Sequence, residues 1–146
     1  EHDINFYNTK KWRLAGVPSM GGHGSALSIA KLYDLLANDL VSENLKIVSQ
    51  DNLKKMLKQT NSKIDETLHL PIKWTVLGYI LRGGWMFGKN KESFGHNGWG
   101  GSLGFADPIN RFGISYVTRK INPEMGPDYR AIKLIKKTYQ ALDCYF

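Results

Sequence analysis

With one cysteine, Cys144, the chain cannot close an internal disulfide, so its stability has to come from a hydrophobic core. The same shortage fits a reducing compartment, with cytoplasm or mitochondrion slightly favoured. No window approaches the roughly 20 apolar residues that a membrane span requires. The start, Glu1-His2-Asp3-Ile4-Asn5, shows neither the basic-then-apolar pattern of a secretory signal nor an initiating Met, and we expect a processed or truncated piece. Acidic residues are the minority, 13 against 20 Lys and Arg, yet the resulting +7 is spread along the chain as solvated helix faces would spread it. Trp12, Trp74, Trp85 and Trp99 are gathered into no nucleic-acid motif, and His2, His23, His69 and His96 lack the spacing that pairs metal ligands on a helix. Nucleic acid, a membrane span, a metal and any other cofactor are therefore set aside. What remains is ordinary globular composition, 42% hydrophobic and 23% charged in 146 residues, which excludes disorder and fibre. A single domain of this size buries about two-thirds of the surface its unfolded chain exposes.

Glycine shows where the chain changes character, because ten of its fifteen copies fall between Gly78 and Gly113. The flanks read helical and the middle reads β. Residues 25–40 open on a good cap, Ser25, and place Ile29, Leu32, Tyr33, Leu36 and Leu40 on one stripe at helical spacing. A shorter helix is expected at about 50–59 behind Ser49, burying Leu53, Met56 and Leu57 and turning three lysines outward. From Trp74 to Leu81 aromatic and β-branched residues predict a strand, ended by Gly83-Gly84. Two more strands are expected at about 102–106 and 112–119, joined by Asp107-Pro108-Ile109-Asn110 as a type I turn. Asp128 then caps a last helix to about Leu142, with Ala131, Ile132, Ile135, Tyr139 and Leu142 on its apolar face. The layout is α+β in one domain: a mainly helical 1–70, then sheet strands and a terminal helix over 71–146.

The densest glycine stretch runs from Ser93 to Pro108 and contains His96-Asn97-Gly98-Trp99-Gly100-Gly101. Glycines in a strand cost backbone entropy and supply nothing to pack, so they mark either a ligand approaching the backbone or a tightly packed, bulged edge strand. A phosphate cradle does not fit, because neither a Gly-Lys-Ser/Thr ending nor a Gly-x-Gly-x-x-Gly opening a helix is present.

The run Phe94-Gly95-His96-Asn97-Gly98-Trp99-Gly100-Gly101-Ser102-Leu103-Gly104-Phe105-Ala106-Asp107-Pro108, followed by Gly113-Ile114-Ser115-Tyr116-Val117-Thr118, closely resembles the C-terminal part of serine β-lactamase-related proteins, the class C β-lactamase, esterase and carboxypeptidase group. Pro18 to Leu32, with Gly21-Gly22 entering a helix, resembles a second stretch of the same family, in the family's order. The resemblance covers nearly the whole chain but well under half of a complete family member. It implies a β-lactamase/transpeptidase-like fold, and an active-site Ser-x-x-Lys whose serine attacks an amide or ester of a small-molecule or peptide acyl substrate. It also implies that His96-Asn97-Gly98 occupies the position of the Lys-Thr-Gly strand that lines the cleft. His96 would then offer a hydrogen-bond donor or partial positive charge to substrate, Asn97 a side-chain amide, Gly98 close backbone approach, and the Trp99 N–H one of two oxyanion-hole donors. Asn97 departs from the family's Thr/Ser hydroxyl, and a Trp-Gly-Gly triad used by some esterase branches would move the register to Trp99-Gly100-Gly101.

Ser28-Ile29-Ala30-Lys31 is the chain's own Ser-x-x-Lys. At about 100° per residue Lys31 lies nearly opposite the apolar stripe, where a solvated ammonium has no reason to become a base. In the resemblance this segment also falls well after the catalytic helix. The nucleophile is accordingly expected upstream of Glu1, leaving this chain a catalytically incomplete C-terminal piece of a serine hydrolase or of a non-catalytic relative. We expect such a piece to be poorly soluble alone, since missing strands would leave an open sheet edge.

Overall fold

A computed structural model describes residues 4–38, 41–42, 45–46, 48–60, 64–81, 83–123 and 126–145. Thr9 caps a short helix, α1 (Lys10–Leu14), by accepting from the Trp12 N–H at 3.2 Å. Ser25 does the same for α2 (Ala26–Ala37), accepting from the Ser28 N–H at 3.1 Å. Two two-residue strands, β1 (Val41–Ser42) and β2 (Leu45–Lys46), precede α3 (Gln50–Met56), which Ser49 caps. Four strands then form an antiparallel sheet in chain order: β3 (Ile80–Leu81), β4 (Phe94–Asn97), β5 (Leu103–Asp107) and β6 (Phe112–Tyr116). The chain ends in α4 (Tyr129–Tyr145).

The strand period of two sends successive β5 residues to opposite faces. Leu103 and Phe105 belong to a core with Ile72, Met86, Phe87 and the α4 residues Ala131, Ile135 and Tyr139. Ala106 belongs to a second core with Phe94, Tyr33, Leu36 and Leu53. The sheet is thus sandwiched between α4 and the α2–α3 pair, in the α+β layout expected from the sequence. The α4 side is filled by large side chains, with Phe87 stacked on Phe105 at 5.5 Å, and each such ring contributes about 1.5–3 kcal/mol by leaving water. The α2 side is closed differently. A Cβ on Gly113 would stand 2.1 Å from the Asp34 nitrogen and 2.5 Å from the Ala30 carbonyl oxygen, so the helix backbone lies directly on β6.

One buried carboxylate ties the α4 layer together. Asp107 accepts from the Ile109 and Asn110 backbone N–H groups, from the Asn90 and Asn110 amides and from the Tyr139 hydroxyl. Burial pushes this carboxyl up. The hydrogen bonds, led by that of Tyr139, outweigh burial and hold it below the usual carboxylate range. Asp107 therefore closes the β5–β6 turn and anchors the terminal helix at once.

Three expectations need correction. Trp74–Leu81 is not one strand: Trp74 bridges Ile80, and the chain reverses through Thr75–Gly78, with Gly78 at φ +77°. The Thr75 hydroxyl, accepting from the Tyr79 N–H at 3.0 Å, stabilises this reversal in a way that β-propensity does not register. Leu32 is 44% exposed, because the glycines of the sheet draw the Ile29–Tyr33–Leu36–Ala37 side of α2 inward instead; Leu40 lies outside the described residues. The last strand ends at Tyr116 rather than at 119. The turn at Asp107 and the apolar face of α4 agree with expectation.

Candidate functional site

β4 carries the glycine-dense segment to the end of the sheet. Its neighbour β3 pairs Ile80 with Gly95 and Leu81 with Phe94, and the reversal ending at Gly78 takes the chain away from β4 beyond that point. Past Gly95 the outer edge of β4 therefore has no partner strand among the described residues. On the inner side the Gly98 N–H donates to the Ser102 carbonyl at 2.7 Å. Antiparallel alternation turns the backbone groups of Asn97 the other way, to the open edge. The Trp99 N–H has no hydrogen-bond acceptor among the described residues.

A groove of about 190 Å³ opens along this edge. His96, Asn97, Gly98 and Trp99 line one side of it. Leu68, Leu70, Ile72 and Trp74 line another, with the buried Ile80 and Met86, and no described lining residue carries an acidic or ammonium group. His96 is exposed and stacks on Trp74 at 5.7 Å with the ring planes 30° apart. Its Nδ1 lies 2.7 Å from the Asn97 carbonyl oxygen. A carbonyl can only accept, so Nδ1 bears the proton and the neutral ring offers a lone pair at Nε2 to anything that reaches it. Nε2 donates only once the ring is protonated.

The turn between β4 and β5 holds Trp99, Gly100 and Gly101, the last two at φ +99° and +100°. The two possible triads thus occupy different structures: His96 and Asn97 are on the strand, whereas Trp99-Gly100-Gly101 are in the turn. Gly98 differs from its neighbours. A Cβ there would meet only the Ser102 carbonyl oxygen, at 3.7 Å, while at Gly104 it would run into the Tyr33 ring at 2.3 Å. The packing around position 98 does not require glycine.

Beneath β4, burial pushes the Tyr33 phenol up, neighbouring Tyr79 adds to that, and the His96 backbone N–H only partly offsets it. Tyr33 is a neutral core residue, not a base. Ser28 donates to the Ser25 carbonyl at 2.9 Å and accepts from the Ser25 hydroxyl, within the N-cap of α2. Lys31 is exposed on the outer side of that helix. Neither lines the groove. Sequence reasoning misses the groove's other side, because Trp74 falls in a stretch with strand propensity and 64–72 has no period of its own. Among the described residues no group of three or more His, Cys, Asp or Glu could hold a metal, and no helix is long and apolar enough to cross a membrane.

Comparison with known proteins gives the family and the fold. Esterase/beta-lactamase LipL of Mycobacterium tuberculosis is 26% identical over 117 residues, covering 79% of this chain and 26% of LipL. A family VIII carboxylesterase superposes with a TM-score of 0.87 at 33% identity, over 95% of this chain and 37% of its own. A penicillin-binding protein homolog from Caulobacter crescentus superposes with a TM-score of 0.78 at 28% identity, over 96% of this chain and 41% of its own. The chain spans well under half the length of each. The fold is β-lactamase/transpeptidase-like, and the Beta-lactamase family model matches residues 3–137, so this chain belongs to the serine β-lactamase-related family.

Proposed function

We propose that the groove beside β4 is one wall of an acyl-transfer site, and that the protein carrying it hydrolyses an ester or amide whose acyl side is uncharged and apolar. The observation that carries this reading is the convergence of His96, Asn97, Gly98 and Trp99 on one apolar groove at an open strand edge. A serine oxygen attacks the acyl carbon, a C–O bond forms, and the carbonyl electrons move to oxygen. The Trp99 N–H donates to that oxyanion, a contact typically worth roughly 10²–10³ in rate. Collapse breaks the bond to the leaving group, which departs with the serine's proton, and water then releases the acid. Asn97 contributes its amide to the substrate, and Gly98 allows the substrate to approach the backbone. With Nδ1–H held by the Asn97 carbonyl, His96 accepts through Nε2 when neutral and donates there when protonated. The apolar lining suits an alkyl or aryl acyl group, and among the described lining residues only a protonated His96 would offer a cation to a substrate carboxylate.

The serine of this mechanism is not Ser28, whose hydroxyl is spent on the helix cap and which stands away from the groove. In this reading it belongs to a Ser-x-x-Lys outside these 146 residues. Assays of this chain with p-nitrophenyl butyrate and nitrocefin test both points. The expected result is saturable binding of the butyrate ester, read from His96 ring resonances, without turnover. Turnover abolished by Ser28→Ala would overturn the placement of the nucleophile, and unperturbed His96 resonances at saturating ester would overturn the site.

A further inference from the structure

Resting on the acyl-site reading of the groove, we infer that Asp65 is its positioning residue: one carboxylate fixes both the indole on which His96 stacks and the loop that forms the opposite side. Asp65 Oδ2 accepts from the Trp74 Nε1–H at 2.8 Å, and Oδ1 accepts from the Thr67 and Leu68 N–H groups at 3.0 and 2.7 Å. The main chain closes round the same residue. The Asp65 N–H donates to the Leu70 carbonyl and the His69 N–H donates to the Asp65 carbonyl, both at 2.8 Å. His69 completes the ring in the left-handed region at φ +52°, a conformation that persists in a non-glycine residue only where its surroundings dictate it.

Two consequences reach the groove. Leu68 and Leu70, each a little under half exposed, are presented to it by this closed loop. The Trp74 ring cannot swing away without breaking its bond to Asp65, so the His96 ring has a fixed platform on one face and a fixed Nδ1–H bond at its edge. Both rotations of the imidazole are thereby restricted, and Nε2 is held in one direction. The Leu68 N–H first, and the Trp74 indole second, keep the Asp65 carboxyl below the usual carboxylate range, so it remains the acceptor this arrangement needs at neutral pH.

The test uses Asp65→Asn, which keeps the side chain's shape but sets an amide donor against either the indole or the loop N–H groups. With ¹⁵N-labelled protein, either the Trp74 Nε1–H or the Thr67 and Leu68 N–H resonances should lose their hydrogen-bonded positions, and loss at the indole should remove the Trp74–His96 ring NOE as well. The affinity for p-nitrophenyl butyrate should fall on the order of tenfold, because small misplacements at such sites are costly. Trp74→Phe should weaken ester binding similarly, and Asp65→Asn added to it should cost less than it does in the parent chain, because only its loop contacts remain to be lost. Unchanged Trp74 indole, Thr67 N–H and Leu68 N–H resonances together in Asp65→Asn would overturn the inference, as would fully additive losses in the double variant. If Asp65→Asn does not fold, Trp74→Phe alone decides: His96 ring contacts to ester as strong as in the parent chain would overturn it. Failure of the hydrolase reading is distinct, appearing as no ester binding by the parent chain while the resonance changes persist.

Discussion

The packed faces of the sheet and its groove edge use the same two residue types for opposite purposes. At Gly104 and Gly113 the missing Cβ is filled by the protein itself, by the Tyr33 ring and the α2 backbone. At Gly98 the missing Cβ leaves space open. Aspartate divides in the same way. Asp107 is fully buried and joins α4, the Asn90 loop and the β5–β6 turn, whereas Asp65 sits in an exposed loop and holds an indole beside the groove. The difference teaches that glycine density alone does not mark a binding site. What marks one is a glycine that the surrounding packing does not require.

The strongest way to break this division is at Asp107. Asp107→Ala leaves the Tyr139 hydroxyl and the Asn90 amide without their acceptor, and each buried polar group left unsatisfied typically costs about 1–3 kcal/mol. Urea titration should show that loss with ester binding by any surviving folded fraction unchanged. The pH dependence has a defined sign. A carboxyl held below its unfolded value of about 3.9 stabilises the fold above that pH and stops doing so as pH falls through its folded value. Stability should therefore decline below about pH 4, and the decline should be shallower in Asp107→Asn. An identical acid limb in the two proteins would show that the network does not hold the proton off.

Next in size is Gly113→Ala. Its methyl would overlap backbone atoms of α2, which cannot rotate aside as a side chain does, so α2 has to lift from β6. Overpacking of this kind costs about 1–3 kcal/mol. A melting temperature equal to that of the parent chain would mean that α2 floats on the sheet, and the contrast with Gly98 would then fail.

The pattern of the sequence makes one half of this contrast more legible than the other. The α4 stripe, the Ser25 and Ser49 caps and the Asp107 turn each rest on local rules, and all of them appear in the structure. The position of His96 on a strand comes from a family resemblance. Glycine spacing cannot say which glycines lie under a helix, because that depends on α2 crossing β5 and β6 from roughly 70 residues away in the chain. The groove's second side is invisible for a related reason. Residues 64–72 have no helix or strand period, and their order comes from one carboxylate bonding three N–H groups, two of them within three residues of it. Asp65 followed by Thr67 and Leu68 is an Asx-turn pattern, and that is the one available signal.

The smallest expected effect on stability is the most informative. Gly98 is exposed, has an ordinary backbone conformation, and leaves 3.7 Å to the only atom near a new Cβ. Gly98→Ala should therefore shift unfolding by no more than about 0.5 kcal/mol in either direction. In the proposed site, however, the added methyl projects into space that the substrate needs beside the Asn97 amide, so p-nitrophenyl butyrate binding should weaken markedly while the His96–Trp74 contact remains. Loss of binding at unchanged stability separates this glycine from Gly113, where the order of effects is reversed. Undiminished binding in Gly98→Ala would mean that the substrate keeps its distance from β4, and the open edge would then need another explanation.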